Sequence, residues 1–456
     1  MESVEKIIGN SGTRASSFLS ELAIFGLAVA ASFAFFAVDL TPKLLLALIL
    51  GAAAVVVMLL YPEFALALYV VVGDVKGDER IASLHFVDLT LVLGAILLAG
   101  MALNLLRGKR VLPMPPAFFL YIALVALMIA SLAYTPVFEA GLEKLGRFLT
   151  VTGVVIVAPF FVLGTPHALK RFLAGYAAAA FAICTYSLTQ LGGSDRLVTP
   201  SNFTIGLGHI ACALILLLWF ALMPRWSFAK RLVVYPFLAV PAVALIGSGS
   251  RGPLIALVLA LVVSLFFFRR LLVDAACLGT LGLLALPLVR IPEASMAYLG
   301  TLIRSPNAGA FLSFRGELMG SAWKLLEQHP LIGAGIQGFR YYSPNAGLYN
   351  WPHNIFVEIA CELGIPAALI ACAIFGCAAR ECLRQLTDAL SPYTALSQVA
   401  AALLFVGIVN ASNTGDINSA RSTWLFVSLV FVVRGFRIRT REPEHFAIAA
   451  VRPLPV

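Results

Sequence analysis

Residues 354–378 read NIFVEIACELGIPAALIACAIFGCA, a long stretch whose only charged side chains are Glu358 and Glu362. About 20 apolar residues rising 1.5 Å each cross the hydrocarbon core of a bilayer, so the stretch reads as a membrane-spanning helix. Working outward, similar runs occupy 20–39, 43–60, 62–73, 86–106, 116–134, 147–164, 169–190, 206–223, 231–248, 252–268, 271–290, 394–411 and 420–436. The run at 62–73 is short for a crossing, so the count is 14 if it spans and fewer if it is re-entrant. The composition agrees: the chain has 456 residues, 61% hydrophobic and 12% charged, with a mean hydropathy of +0.95. Soluble domains carry about 25% charged residues, which excludes the soluble enzyme classes. Strands of a membrane barrel would alternate polar with apolar residues, and these runs do not. The expected fold is all-α: a polytopic transmembrane helical bundle of about 12–14 spans with one large periplasmic loop.

A net charge of +9 would point to nucleic acid in a soluble protein, but here the basic residues sit in short loops between apolar runs. With the N-terminus inside, 19 of the 32 Lys and Arg residues fall on the inner side, among them Arg107, Lys109, Arg110, Lys170, Arg171, Lys230, Arg231, Arg269 and Arg270. By the positive-inside rule both termini are cytoplasmic and no nucleic-acid partner is expected. The organisation is then 1–290, transmembrane helices 1–11; 291–353, a periplasmic loop; and 354–456, the last three transmembrane helices and a cytoplasmic tail. The apolar stretch after the polar first residues has no small-residue cleavage site at the usual distance, so the first span is read as uncleaved. Seven cysteines, none spaced as CxxC, indicate neither a zinc site nor a disulfide framework. Inside the outer loop, LSFRGELMGSAWKLLEQHP places Leu318, Met319, Ala322, Leu325 and Leu326 at helical spacing before Pro330. This predicts an amphipathic helix along the outer membrane surface.

Three polar constellations fall on that outer side. Ser248-Gly249-Ser250-Arg251-Gly252-Pro253 is a tight corner with proline suited to the first turn of the next helix. Arg251 there either snorkels to headgroups or serves a site; the positive-inside rule disfavours an idle outer arginine. Arg315 lies in the surface helix, where a basic residue also serves solubility. Trp351-Pro352-His353-Asn354 leads into the helix that carries Glu358 and Glu362 one turn apart. Two carboxylates inside an apolar span are expensive unless they line a polar cavity or pair with cations, and Asn354 is a plausible helix cap. Asn410, Asn413, Asp416, Asn418 and Arg421 form a polar outer loop in which Asp416 can orient a cation. His209 reads as a polar contact. Gly333 to Gly338 matches GxGxxG but follows no strand and opens no long helix, so a dinucleotide site is rejected.

Arginine offers planar bidentate donors to phosphates, and a histidine near its ordinary pKa of about 6.5 can take a proton from a hydroxyl. At a membrane edge these parts fit group transfer from a lipid pyrophosphate to a hydroxyl acceptor. The SGSRGP corner, the segment FRGELMGSAWKLLEQHPLIGAGIQGF and the stretch WPHNIFVEIACELGIPAAL resemble, in order and sidedness over residues 195–435, the O-antigen ligase and O-antigen polymerase superfamily. The resemblance implies a metal-independent glycosyltransferase of the bacterial inner membrane, without cofactor and with its active site facing the periplasm. The implied donor is an undecaprenyl-pyrophosphate-linked glycan; the acceptor is a lipid A-core sugar for a ligase or another glycan for a polymerase. It also implies His353 as the base, Arg251 and Arg315 as the pyrophosphate-binding residues and Glu358 as a supporting or acceptor-orienting residue; Asn354 and Asp416 join Glu358 as candidate substrate-binding residues by their positions in the outer segments. A flippase or transporter is the competing class; the absence of repeated halves and the gathering of polar residues at one edge weigh against it.

Overall fold

The computed structural model describes residues 42–78, 88–267, 269, 272–285, 289–304, 308–343, 350–388 and 391–450, which are 77% helical and contain no strand. The helices are α1 (Pro42–Leu60), α2 (Pro62–Val71), α3 (Leu89–Leu106), α4 (Ala117–Ser131), α5 (Phe138–Arg147), α6 (Gly153–Val162), α7 (Pro166–Leu188), α8 (Thr204–Leu222) and α9 (Phe228–Gly247). They continue with α10 (Arg251–Phe267), α11 (Leu272–Ala285), α12 (Glu293–Arg304), α13 (Ala308–Gln328), α14 (Gly338–Tyr342), α15 (Ile355–Thr387), α16 (Thr394–Ala411) and α17 (Arg421–Ala450). A π turn at Phe148–Thr152 fuses α5 and α6 into one span.

Seven of the described helical spans are long and apolar enough to cross a membrane, or eight if α1 and α2, bent by 113° about Tyr61, count as one broken span. Helices α4 and α10 are apolar but shorter. The run at 20–39 lies outside the described residues. The run at 62–73, too short for a comfortable crossing, forms the second arm of the bent pair.

Hydrogen bonds sort the connections into two sets. At one end Leu197 N donates to Gly247 O (2.9 Å), Ser201 N to Asp74 O (3.0 Å) and Gly192 N to Arg290 O (3.1 Å). At the other, Leu112 N donates to Phe160 O (2.9 Å), Lys109 Nζ to Leu60 O (3.4 Å) and an Arg225 Nη to Gln398 Oε1 (3.1 Å). The second end carries the basic clusters, with two buried carboxylates paired there, Glu63 to Arg171 (2.5 Å) and Asp274 to Arg231 (2.8 Å). A cysteine at Ala308 is expected to label from the outer face. Gln385, the natural inner control by sequence, is buried and donates to Val430 O (2.9 Å), so the control belongs at exposed Arg384. Labelling of Arg384→Cys but not Ala308→Cys by an impermeant reagent on the outer side would reverse the orientation.

The amphipathic helix expected in the outer loop packs its apolar stripe on protein. Leu318, Ala322, Leu325 and Leu326 of α13 are buried in one cluster with Phe339, Ala360 and Cys361, while Trp323 stays 55% exposed. Its apolar stripe is covered by the outer turns of α15. There α15 breaks at Gly364 (φ 85°, ψ 172°), two residues before Pro366. The 330–338 strap runs against that break: Ala334 N donates to Cys361 O (2.9 Å), Gly335 N to Glu362 O (2.9 Å) and Ile365 N to Pro330 O (2.8 Å). A Cβ on Gly364 would sit 2.2 Å from Leu331 O. The glycines of the GxGxxG-like segment therefore serve backbone-to-backbone packing.

Candidate active site

The corner at 248–253 forms as expected. Gly249 takes φ +62°, and Ser250 N donates to Ser248 Oγ (3.2 Å). The loop before α8 supplies a partner: Arg196 Nε donates to Ser248 O (2.7 Å). Helix α12 then inserts Tyr298, with the Arg196 guanidinium 4.4 Å and the Arg251 guanidinium 4.8 Å from the ring centroid. One aromatic face system thus holds two like charges close together, as a polyanion site requires. Burial, with Arg251 adding to it, lowers the Arg196 pKa.

His353 lies one residue before the cap of α15 and holds φ +58°, a left-handed conformation uncommon for a residue with a side chain. Asn354 Oδ1 caps α15 by accepting from Phe356 N (3.0 Å) and Val357 N (3.2 Å), which fixes the turn that aims the imidazole. The ring meets Trp351 edge-on at 6.0 Å and lines a cavity of about 410 Å³ together with Asp74, His209, Asn410, Thr414 and Arg421. Burial lowers its pKa to about 4, the Arg315 charge acting in the same direction and Asp416 against it. The ordinary histidine expected from sequence is therefore displaced downward, and the imidazole is neutral throughout the physiological range. The same interactions place Arg315 and Asp416 in its electrostatic neighbourhood. Asp416 accepts from Ser419 N through Oδ1 (2.8 Å) in a tight turn.

Glu358 and Glu362 are 1% and 2% exposed and are clamped by a residue that sequence reading did not single out. Lys144 Nζ lies 2.5 Å from Glu358 Oε1 and 2.6 Å from Glu362 Oε2. The remaining bonds come from the backbone: Ile417 N donates to Glu358 Oε2 (3.0 Å) and Gln337 N to Glu362 Oε2 (2.9 Å). Asn418 Nδ2 donates to Lys144 O (3.1 Å). Of the two outcomes open for these carboxylates, the pairing with a cation is what the fold builds, and Glu358 is not among the cavity-lining residues. It reaches the 412–420 loop instead, which it holds by Ile417. The available signal was the carboxylate pair itself, which demanded a cation; nothing local in FEAGLEKLGRF marked Lys144 as that cation.

The 412–420 loop is the common neighbour of the Arg251 corner, His209 and the His353–Glu358 segment. Asn413 Cβ stands 3.7 Å from a Cβ built on Gly252 of the corner, Thr414 Oγ1 is 3.0 Å from His209 Nε2, Asp416 acts on His353, and Ile417 reaches Glu358. Beneath it Trp424 donates Nε1–H to Ile417 O (3.2 Å), meets Phe148 edge-on (5.9 Å) and lies tilted against Phe375 (5.2 Å). A rigid aromatic floor thus supports the loop.

Among the described residues no cluster of three or more His, Cys, Asp or Glu could hold a metal ion. No curated protein matches the chain. The family model described as O-antigen ligase matches residues 236–372, which span the Arg251 corner, α13 with Arg315, and the His353 turn with the carboxylate-bearing start of α15, so this part of the chain is similar to that family.

Proposed function

We propose that the protein is a metal-independent glycosyltransferase of the ligase type, moving a glycan from undecaprenyl pyrophosphate to a lipid A-core sugar hydroxyl at the periplasmic face of the inner membrane. The observation that carries this reading is a neutral, cavity-facing imidazole with a guanidinium and a carboxylate in its electrostatic reach. The acceptor hydroxyl loses its proton to His353 as its oxygen attacks the anomeric carbon. The bond from that carbon to the pyrophosphate oxygen breaks, and the pyrophosphate leaves with the electron pair. Arg315 and the Arg251 corner stabilise the charge that develops there, which in group transfer of this kind is the largest electrostatic contribution. Asp416 orients the imidazole side of the site, and Asn354 holds its turn. Because the arginines supply the positive charge, full transfer is expected in EDTA; loss restored by one divalent cation would show a metal in that role.

The polymerase reading keeps the same donor and the same residues and differs only in the acceptor. Incubating purified protein with glycan-loaded undecaprenyl pyrophosphate and either lipid A-core or a second lipid-linked glycan, then weighing the products, separates the two. Uptake of glycolipid by vesicles lacking any acceptor would favour a flippase instead.

The base must be neutral to act, so the acidic limb of kcat/KM is expected near pH 4, with little change between pH 5 and 8. The sign follows from the lowered pKa: the folded protein disfavours the protonated ring. Stability linked to His353 is complete above the unfolded value of about 6.5 and falls as pH drops from there toward 4. An acidic limb centred near 6.5 would contradict the buried environment described for this ring.

A further inference from the structure

The cavity that His353 lines has a second polar group of residues that the transfer chemistry does not use. Asp74, at the end of the α2 arm, and Arg421, the first residue of α17, both face it. They sense each other's charge without closing into an ion pair, and among the described residues no hydrogen bond or ion pair engages either charged group. Both are crowded into place from behind. A Cβ on Gly73 would fall 1.9 Å from Arg421 Nη2, and one on Gly206 would fall 2.1 Å from Asp74 Oδ1. Two further residues that line the cavity each carry a buried polar atom with no partner: Asn410 Oδ1, on a residue 6% exposed, and Trp351 Nε1. Leaving a cavity-lining carboxylate and guanidinium unmatched is costly, so the Asp74–Arg421 pair calls for a ligand.

The donor and acceptor set restricts what that ligand is. A phosphate would be repelled by Asp74, and an ammonium group by Arg421. Neutral hydroxyls satisfy both, because each can donate to a carboxylate or amide oxygen and accept from a guanidinium or indole N–H. The other walls are apolar, including Val70, Phe426 and the Trp351 ring, and suit the C–H face of a sugar. The volume lies within the range of about 300–1,000 Å³ for small-molecule sites.

We infer that Asp74, Arg421, Asn410 and Trp351 form a sugar-binding subsite that seats one pyranose ring beside His353. The assignment rests on the group-transfer reading above and adds where a reacting glycan is held. Vicinal hydroxyls bridge the carboxylate and the guanidinium, and the ring lies within reach of the base. The sugar is either the acceptor's terminal residue or the first residue of the donor glycan; the recognition chemistry is the same.

The test uses the full-length protein in detergent micelles, with Asp74→Asn, Arg421→Gln and Gly206→Ala, the last pushing a methyl group toward the carboxylate. Saturation-transfer NMR with glucose, galactose and N-acetylglucosamine reads ring binding directly, and KM for donor and acceptor is read in the transfer assay. Each variant is expected to lose most of the saturation transfer and to raise one KM about tenfold or more, with a smaller change in kcat. A rise confined to acceptor KM assigns the acceptor sugar, and one confined to donor KM the donor sugar. Wild-type saturation transfer and unchanged KM values in all three variants, inserted at wild-type level, would overturn the subsite. If the wild-type protein transfers no glycan at all, the group-transfer reading falls, while the NMR arm still decides whether this pair binds a sugar.

Discussion

Replacing His353 by alanine is expected to cut turnover by about 10²–10⁴-fold, the range for loss of a general base, while donor binding stays nearly intact. Alanine removes the imidazole but leaves the Asn354 cap and the break in α15 undisturbed, so the protein should insert at the wild-type level. Arg251→Lys and Arg315→Lys are expected to be damaging although each keeps its charge. A compact ammonium cannot reproduce a bidentate fork on a pyrophosphate, and at Arg251 it would also lose the flat stack on Tyr298. If the arginines only snorkel and the histidine only shapes a turn, lysine will substitute well and alanine at 353 will cost stability alone. Single-turnover rates with the donor prebound separate these cases. Wild-type rates in all three variants would remove the catalytic assignment and leave the family resemblance of residues 236–372 standing.

The second large effect is expected at Lys144. Lys144→Met removes the cation shared by two carboxylates that are 1% and 2% exposed. Breaking a buried ion cluster by deleting one partner costs about 3–5 kcal/mol, because uncompensated charge is left inside. The midpoint of thermal unfolding in detergent should fall sharply. Restoring neutrality with Lys144→Met, Glu358→Gln and Glu362→Gln together should recover much of the loss, since a buried ion cluster is not intrinsically more stable than a neutral replacement. Glu362→Gln alone should be milder, for Lys144 then keeps Glu358. An unchanged midpoint in Lys144→Met would mean that water reaches the cluster and screens it.

The helices and the turn at the Arg251 corner were legible in the sequence because each depends on local patterns: apolar run length, a glycine at a tight turn, a proline at a first helical position. Glu358 and Glu362 also announced that something must neutralise them. What answered them was not legible. Lys144 sits in a short amphipathic stretch 218 residues before Glu362, and no local pattern distinguishes a lysine in water from one drawn into the protein. Arg196 and Tyr298 likewise acquire their meaning only when two loops meet over one ring. Asp74 was hidden for a different reason: it ends a run too short to span, and the bend of 113° that turns it toward the cavity is set by packing. The surface helix was read correctly as amphipathic, but its apolar stripe says only that something covers it, and the cover is α15.

That long separation has a consequence in time. A ribosome adds about 5–20 residues per second, so the chain from Lys144 to Glu362, 218 positions apart, takes roughly 10–40 s to make. Throughout that interval the early helices exist with their lysine and without its counter-charges. The α5 segment must therefore wait where water or the insertion machinery can solvate an ammonium group, and it settles into the bundle only after α15 arrives. Assembly of the first half is completed by the last, and a chain truncated before Glu358 would be left holding an early intermediate rather than a smaller working protein.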